Sequence, residues 1–212
     1  MEIICNNEVL ILSPLRAAYW PKERTLFLAD LHLGKTGYFR SHGIPIPSTV
    51  LHDDLKRLGK LIETYKAQKL IIAGDMFHHD LNTDINIFQQ WREYYADISF
   101  ILVPGNHDKL LHINYEQLDI QITSKEFVAA PFVITHELPE PDNNRFIIAG
   151  HLHPGYQLIG KARQSLRLPC FVVSSHHLIL PAFSTFTGLF TGYKNRNNTR
   201  YYVIGNESVY RA

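Results

Sequence analysis

The sequence lacks most features that mark secreted, membrane-bound or polycationic proteins. Cysteine is scarce, because only Cys5 and Cys170 occur in 212 residues, and two distant thiols exclude a disulfide framework and a thiolate zinc cluster. No apolar run is long enough to span a bilayer, and the amino-terminal segment lacks the regions of a signal peptide. The formal net charge is only +1, so any attraction to phosphate must be local. We therefore expect a reduced, cytoplasmic protein with no membrane partner.

Histidine is the residue type in excess, with 12 copies. The chain shows no repeat, linker or low-complexity tract, and its length suits one core, so we expect a single domain over residues 1–212. Five short apolar stretches, residues 26–29, 70–73, 98–103, 132–135 and 146–149, each end in Asp, Asn or His. Ligand sites of α/β sheets lie at such carboxyl ends of strands. The polar groups that follow these stretches are Asp30 and His32, Asp75 and His78, Asn106 to Asp108, His136, and His151 and His153.

The hydrophobic pattern predicts two halves of different character. Strands at 26–29, 69–73 and 98–103 alternate with helices at 51–65 and 84–96, with Ser48 as N-cap of the first helix, which is typical of a parallel α/β unit. Before them, 9–12 is expected to be a strand and 15–24 a surface loop or edge strand, while the glycines and prolines of 34–47 predict irregular chain. The second half has only strand-like segments, so we predict a second sheet packed on the first. These segments are 120–123, 127–135, 145–149, 157–159, 170–174, 177–180 and a hairpin at 201–210.

Carboxylates, an amide oxygen and imidazoles are ligands for hard-to-borderline divalent ions. Manganese is the first candidate, and iron, zinc, nickel and cobalt also suit such a set. Two ions about 3.5–4 Å apart can clamp the attacking and departing oxygens of an in-line displacement at phosphorus and generate a bridging hydroxide near neutral pH. Asp75 lies midway in the series, and a carboxylate has two oxygens, so Asp75 is the natural bridge.

The ordered series of motifs over residues 26–153 resembles the calcineurin-like metallophosphoesterases. The resemblance implies a two-sheet β-sandwich flanked by helices, in four layers (αββα). It also implies that Asp30, His32, Asp75 and His153 hold one metal and that Asp75, Asn106, His136 and His151 hold the other. His107 would be the general acid or a phosphate contact, oriented by Asp108.

Two positions depart from the usual pattern of this family. The second motif more often ends in Asp or Asn, whereas this chain has His78 followed by His79, so His78 is assigned to substrate phosphate or to the surroundings of the metals. The fourth motif often pairs His with Gly, whereas here it reads Thr135-His136-Glu137. The assignment of His136 therefore rests on its position after a strand.

A narrower resemblance, to the DNA ligase-associated metallophosphoesterases, covers nearly the whole chain. It is carried by residues 29–35, 39–40 and 43–45 and by the later segments 180–183 and 186–188. These bacterial proteins are encoded beside a helicase, an exonuclease and a DNA ligase. The resemblance implies a phosphodiesterase or nuclease that acts on DNA in repair, with those proteins as partners.

Contacts to a nucleic-acid substrate are expected near the first metal ligands. Lys35 and Arg40 are the preferred phosphate contacts because they share a loop with Asp30 and His32. Further candidates are Arg16, Arg24, Lys161, Arg163 and Arg167, with Trp20, Tyr38 and Phe39 for base stacking. The basic run Lys194, Arg196 and Arg200 is interpreted as an exposed loop. Residues 180–188 either fill the core of the second sheet with two phenylalanines or face the substrate.

Three functions remain open from the sequence. The first is a metal-dependent phosphodiesterase acting on DNA or another nucleotide diester. The second is a phosphatase or pyrophosphatase for a small phosphorylated metabolite, which the modest net charge allows. The third is a non-catalytic docking partner of a ligase or helicase, which the presence of every expected ligand and of His107 disfavours.

Overall fold

The first of two β-sheets joins an antiparallel part to a parallel part. The structure is a computed structural model and describes residues 1–47, 49–78, 83–108, 113–140, 144–161, 164–193 and 199–212. The sheet has seven strands in sequence order, the first four antiparallel and the last four parallel, so that β4 belongs to both parts. They are β1 (Glu2–Cys5), β2 (Glu8–Ser13), β3 (Ala17–Trp20), β4 (Thr25–Leu28), β5 (Lys69–Ala73), β6 (Ser99–Val103) and β7 (Ile120–Ile122).

The second sheet also combines both kinds of pairing. Its order is β15-β14-β12-β13-β10-β9-β8, with β11 paired to β12. Strands β9, β10 and β13 are parallel to one another, and the other pairs are antiparallel. The strands are β8 (Glu126–Ala129), β9 (Phe132–Thr135), β10 (Phe146–Ala149), β11 (Gly155–Ile159), β12 (Ser165–Val173), β13 (His177–Ile179), β14 (Arg200–Ile204) and β15 (Val209–Arg211).

The alternation of side chains along β4 shows how the first sheet lies between two apolar layers. Phe27 packs in the core between the two sheets, with Trp20 and Phe132 around it. Leu26 and Leu28 point to the other face and pack among residues of the helices. Successive side chains of a strand point to opposite faces. A parallel strand that is covered on both faces therefore reads as a continuous apolar run.

Three helices are described, α1 (Lys35–Ser41), α2 (Thr49–Tyr65) and α3 (Thr83–Glu93). The apolar face of α2, including Leu51, Leu55 and Leu58, packs with Phe88 of α3 on the outer face of the first sheet. The predicted two-sheet sandwich is confirmed. The second helical layer has no counterpart in the described part of the chain, where strand and loop side chains pack on the outer face of the second sheet around Val172 and Ile179. None of the described helices is long and apolar enough to cross a membrane.

The structure differs from the sequence prediction in three elements. β1 was not predicted and forms a hairpin with β2. Residues 17–20 form β3, an interior strand between β2 and β4 rather than a surface loop or edge strand. The irregular segment predicted at 34–47 contains α1. The proposed N-cap, Ser48, lies outside the described residues.

Candidate metal centre

The predicted polar groups converge where the parallel strands of both sheets end. Asp30 follows β4 and Asp75 follows β5, and the Asp30 N–H donates to the Gly74 carbonyl at 3.0 Å. From the second sheet, His136 follows β9 and His151 follows β10. The His151 N–H donates to Asp30 Oδ2 at 3.0 Å, so the two sheets are joined by a hydrogen bond at the site itself.

The first group of potential ligands contains Asp30, His32 and His153. One ligand atom from each lies within 4.8 Å of the others. His153 Nε2 is 3.3 Å from Asp30 Oδ1 and 3.5 Å from His32 Nε2. Asp30 is fully buried and His32 is 5% exposed. The first sheet supplies Asp30 and His32, and the second sheet supplies His153.

The second group contains Asp75, His136 and His151, also within 4.8 Å. His136 Nε2 is 3.5 Å from Asp75 Oδ2 and 3.1 Å from His151 Nδ1. His136 Nδ1 donates to the Ala73 carbonyl at 2.9 Å, and a carbonyl can only accept, so this bond fixes where one ring proton lies. The Nε2 atom therefore faces the carboxylate and the second imidazole, as metal-ligating histidines are commonly held.

Two glycines make room for the close approach of these side chains. A Cβ on Gly74 would overlap the ring of His136, and Gly74 also has φ +81°. A Cβ on Gly105 would overlap the carboxylate and backbone of Asp75. Any other residue at either position would push a candidate ligand away.

Five of the candidate ligands have a left-handed backbone. The φ angles are +57° at Asp30, +48° at His32, +50° at Asp75, +67° at His151 and +47° at His153. This conformation is uncommon outside glycine, although Asp and His adopt it more readily than bulkier residues. Backbone strain of this kind clusters at functional sites. Here it turns each side chain from the end of its strand into the shared site.

The charges of the second group are strongly coupled. Burial raises the pKa of the Asp75 carboxyl, but the hydrogen bond and charge of His136 outweigh burial and hold that pKa below its ordinary value. Burial likewise lowers the pKa of His136, but Asp75 dominates and raises it to about 9. Without a metal, a proton on His136 thus serves as the positive partner of Asp75.

The first group fits a cation for a different reason. Burial, with the charge of Lys35, lowers the pKa of His32 to about 2, so its ring is neutral and keeps a lone pair. Its Nδ1 atom is buried without a hydrogen-bond partner in the described structure, although buried nitrogens are normally paired. Its Nε2 faces the Nε2 of His153. The neutral imidazole of His32, the facing ring of His153 and a buried carboxylate are a donor set suited to a divalent ion.

Asn106 lies at the rim of the site. Its Nδ2 donates to Glu137 Oε1 at 2.7 Å, which leaves the amide oxygen for another partner. This function of Glu137 was not predicted from the sequence. The only signal was its place beside His136, where the motif departs from the usual pattern.

His107 lies beside the first group and against His78. Ligand atoms of His32, His78 and His107 are within 4.8 Å of one another, and the rings of His78 and His107 are 4.7 Å apart. The His107 N–H donates to Asp75 Oδ1 at 3.0 Å. The backbone of His107 is thus anchored to the central carboxylate, and its side chain points toward His32.

The hydrogen bonds of the Asp108 carboxylate differ from the prediction. Its oxygens accept the N–H groups of Phe77 at 3.0 Å and Gly105 at 2.8 Å, so the carboxylate does not contact the His107 ring. Burial raises the pKa of Asp108, although these hydrogen bonds oppose the rise. Asp108 therefore positions His107 by fixing the loop that carries it.

Comparisons with known proteins agree with this geometry. The profile of the family described as calcineurin-like phosphoesterase matches residues 23–142, more than half of the chain. The chain is a member of the calcineurin-like phosphoesterases.

The most informative solved structure is that of Pseudomonas putida nuclease MPE. It is 30% identical to this calcineurin-like phosphoesterase with a TM-score of 0.84, and the match covers 100% of this chain and 99% of the nuclease. YfcE, a phosphoesterase from E. coli, is 16% identical with a TM-score of 0.46 over 89% of this chain and 97% of its own. The search of curated proteins found no match.

Family membership makes the protein a phosphoester hydrolase. The family uses a dinuclear divalent metal centre, and the two Asp/His groups are potential ligands for one.

Of the two phosphate contacts preferred in this phosphoesterase, only Lys35 remains near the site. Burial lowers the pKa of Lys35, while the charges of Asp30 and Asp75 oppose the shift. Arg40 instead pairs with the buried Asp84, with Nη2 3.2 Å from Oδ1. Asp84 also accepts from Thr36 and from the Gly37 N–H. The predicted phosphate contact of Arg40 is therefore not supported, because its charge ties α1 to α3.

Other predicted substrate contacts have structural roles or lie elsewhere. Trp20 is buried between the sheets and cannot stack on a substrate base. Arg16 donates to the carbonyls of Ala182 and Ser184. Phe183 is buried on the outer face of the first sheet, and not in the core of the second as predicted for segment 180–188. Phe186 of the same segment is 36% exposed. His79, Arg163, Lys194 and Arg196 lie outside the described residues.

Proposed function

We propose that this chain is a metal-dependent phosphodiesterase that hydrolyses DNA. The observation that carries the proposal is the pair of Asp/His groups at one edge, with Asp75 contacting His136 on one side and the His107 backbone on the other. The full-length similarity to a nuclease supports a diester rather than a monoester as substrate.

The chain's own residues divide into two ligand sets. Asp30, His32 and His153 would hold one ion, His136, Asn106 and His151 would hold the other, and Asp75 would serve both. Two such ions, when bound, supply Lewis-acid stabilisation of phosphoryl charge and lower the pKa of water. Manganese is the ion to test first, and then zinc, iron, nickel and cobalt.

His107 is assigned to proton delivery. Its ring lies against His32 and His78, at the edge of the first group, while its backbone is held by Asp75. In its protonated form it would donate a ring N–H to the departing ester oxygen. His78 would hold a non-bridging phosphate oxygen, and the Lys35 ammonium would offset the phosphate charge.

The narrower resemblance noted in the sequence supports DNA repair as the biological setting. A ligase, helicase or exonuclease would then be the partner to test by co-purification with the full chain. This part of the proposal is independent of the chemistry at the metal centre.

The decisive experiment compares substrates on the refilled protein. Metal-free protein is refilled with each ion in turn and assayed with bis-p-nitrophenyl phosphate, p-nitrophenyl phosphate and a fluorescent oligodeoxynucleotide. We expect transition-metal-dependent cleavage of the diester and of DNA. Turnover of the monoester alone would replace the proposal by a metabolite phosphatase. If no substrate is hydrolysed although ions are bound, the result would favour a non-catalytic docking protein.

A further inference from the structure

A line of aromatic rings leads out of the candidate metal centre. His78 lies against His107, and from His78 the ring centroids step to Tyr38 at 5.9 Å, to Phe39 at 5.8 Å and to Phe186 at 5.8 Å. We call Tyr38, Phe39 and Phe186 the aromatic strip. Tyr38 and Phe39 are on α1, so the strip exists because this segment is helical.

The outer end of the strip is fixed relative to Asp30. The Ser184 N–H donates to the Asp30 carbonyl at 3.1 Å, and the Phe186 N–H donates to Ser184 Oγ at 3.2 Å. Arg16 donates to the Ser184 carbonyl at 2.8 Å, and Arg57 donates to the Phe183 carbonyl. Two half-buried arginines therefore hold the segment that carries Phe186.

A cation lies between the acidic centre and the strip. Lys35 Nζ is 6.0 Å from the centroid of the Phe186 ring. Phe186 is 36% exposed, and Tyr38 and Phe39 are partly exposed. An exposed ring, an ammonium and a phosphoester site in succession match the base, the backbone charge and the scissile phosphate of a nucleic acid.

We propose that the aromatic strip is a binding site for a nucleobase adjoining the scissile phosphate, stacked on Phe186. This inference rests on the proposed DNA phosphodiesterase function. The aromatic strip would contact the base itself, whereas the metal ions and Lys35 would contact only the phosphate backbone. Stacking tolerates every base, because each has a π-face, so the strip increases affinity without selecting a sequence.

The test uses two fluorescent oligomers of equal length, oligothymidylate and a base-free oligomer of abasic nucleotides. The manganese-refilled wild type should cleave oligothymidylate with the lower KM. Phe186→Ala should raise the KM for oligothymidylate about 5- to 150-fold, the range that corresponds to stacking of one base. It should leave the KM for the base-free oligomer within about twofold, because that substrate has nothing to stack.

Further variants separate stacking from a general loss of structure. Phe186→Tyr keeps a ring and should retain the low KM, whereas Phe186→Leu keeps apolar bulk and should lose it. Tyr94→Ala removes an aromatic side chain that is 86% exposed and outside the strip, and should leave both KM values unchanged. Metal content and thermal unfolding show that each variant is folded and loaded.

The outcomes distinguish the two proposals. If the wild type cleaves both oligomers with equal KM, or if Phe186→Ala matches the wild type on oligothymidylate, the base site is refuted and the phosphodiesterase stands. If the wild type hydrolyses bis-p-nitrophenyl phosphate but cleaves neither oligomer, DNA is the wrong substrate and both proposals fall. An equal loss on both oligomers would show that Phe186 acts on the metal centre rather than on a base.

Discussion

The two sheets reach the same site with different chemistry. The first sheet supplies both carboxylates, Asp30 and Asp75, which lie at the ends of adjacent parallel strands, together with the imidazole of His32. The second sheet supplies imidazoles, of which His136 and His153 contact those carboxylates. Neither sheet alone assembles either group of three. The site therefore depends on the packing of one sheet against the other, and not on either strand pattern by itself.

We expect a carboxylate from the first sheet to be needed for the binding of both ions. An imidazole from the second sheet should be needed for the binding of only one. Asp75→Asn should lose both ions and abolish measurable turnover, because we assign Asp75 to both ligand sets. His136→Ala should keep one ion and lose more than about 100-fold in turnover, since even indirect partners of metal ligands are worth 10–100-fold. Metal content, measured by mass spectrometry, and the rate of diester hydrolysis are compared for both variants.

The exposed Asp53 and His52 on α2 provide matched controls, in the variants Asp53→Asn and His52→Ala. Normal metal content in Asp75→Asn would contradict a shared carboxylate.

His107 tests whether the first sheet also supplies the proton donor. His107→Ala should lower kcat about 100- to 10,000-fold, the usual range for general acid catalysis, while both ions stay bound. Diester hydrolysis and metal content, measured on the same preparation, check both expectations. Loss of metal in His107→Ala would instead make His107 a ligand.

Two basic residues of α1, Lys35 and Arg40, should have different roles. Lys35→Gln should raise the KM for DNA about 10- to 100-fold, because a hydrogen bond to a charged group is worth roughly 1.5–3 kcal/mol. Arg40→Gln should leave KM unchanged and lower the free energy of unfolding by about 1–3 kcal/mol, because it removes the positive charge that pairs with the buried Asp84. Steady-state kinetics and denaturant titration of both variants separate the roles. A large KM effect of Arg40→Gln would restore it as a phosphate contact.

The smallest expected effect is the pH dependence that follows from the raised pKa of His136, a residue of the second sheet. In the metal-free fold this proton is bound more tightly than in the unfolded chain. It therefore stabilises the fold in full below about pH 6.5 and ceases to do so as the pH rises through about 9. An ion at His136 must displace the proton, so manganese affinity should rise up to about tenfold per pH unit toward pH 9 and then level off. Calorimetry in buffers of different ionisation enthalpy should detect the released proton, and His136→Asn should not release it.

The strand ends were predictable because apolar runs followed by Asp, Asn or His are visible in sequence. The fold of the parallel half followed from the same runs and from the helical spacing of Leu51, Leu55 and Leu58. Contacts between distant residues were not visible. α1 was missed because Gly34 and Gly37 favour irregular chain, while the buried Asp84 that holds its first turn is 47 residues from Gly37.

The role of Asp108 shows the same limit. Its place beside His107 in the sequence indicated a contact between the two side chains, but the carboxylate turns back to the N–H groups of Gly105 and Phe77. Glu137 holds the amide of Asn106 across the two sheets, and only the packing of the sheets brings these residues together. Residue type and spacing predicted the candidate ligands, and tertiary contacts determine what holds them.

The most direct test of a shared carboxylate is electron paramagnetic resonance of the manganese-refilled protein. If Asp75 serves both ions, the wild type should show the spectrum of a magnetically coupled pair and His136→Ala that of an isolated ion. Two uncoupled ions in the wild type would contradict the assignment of Asp75 to both.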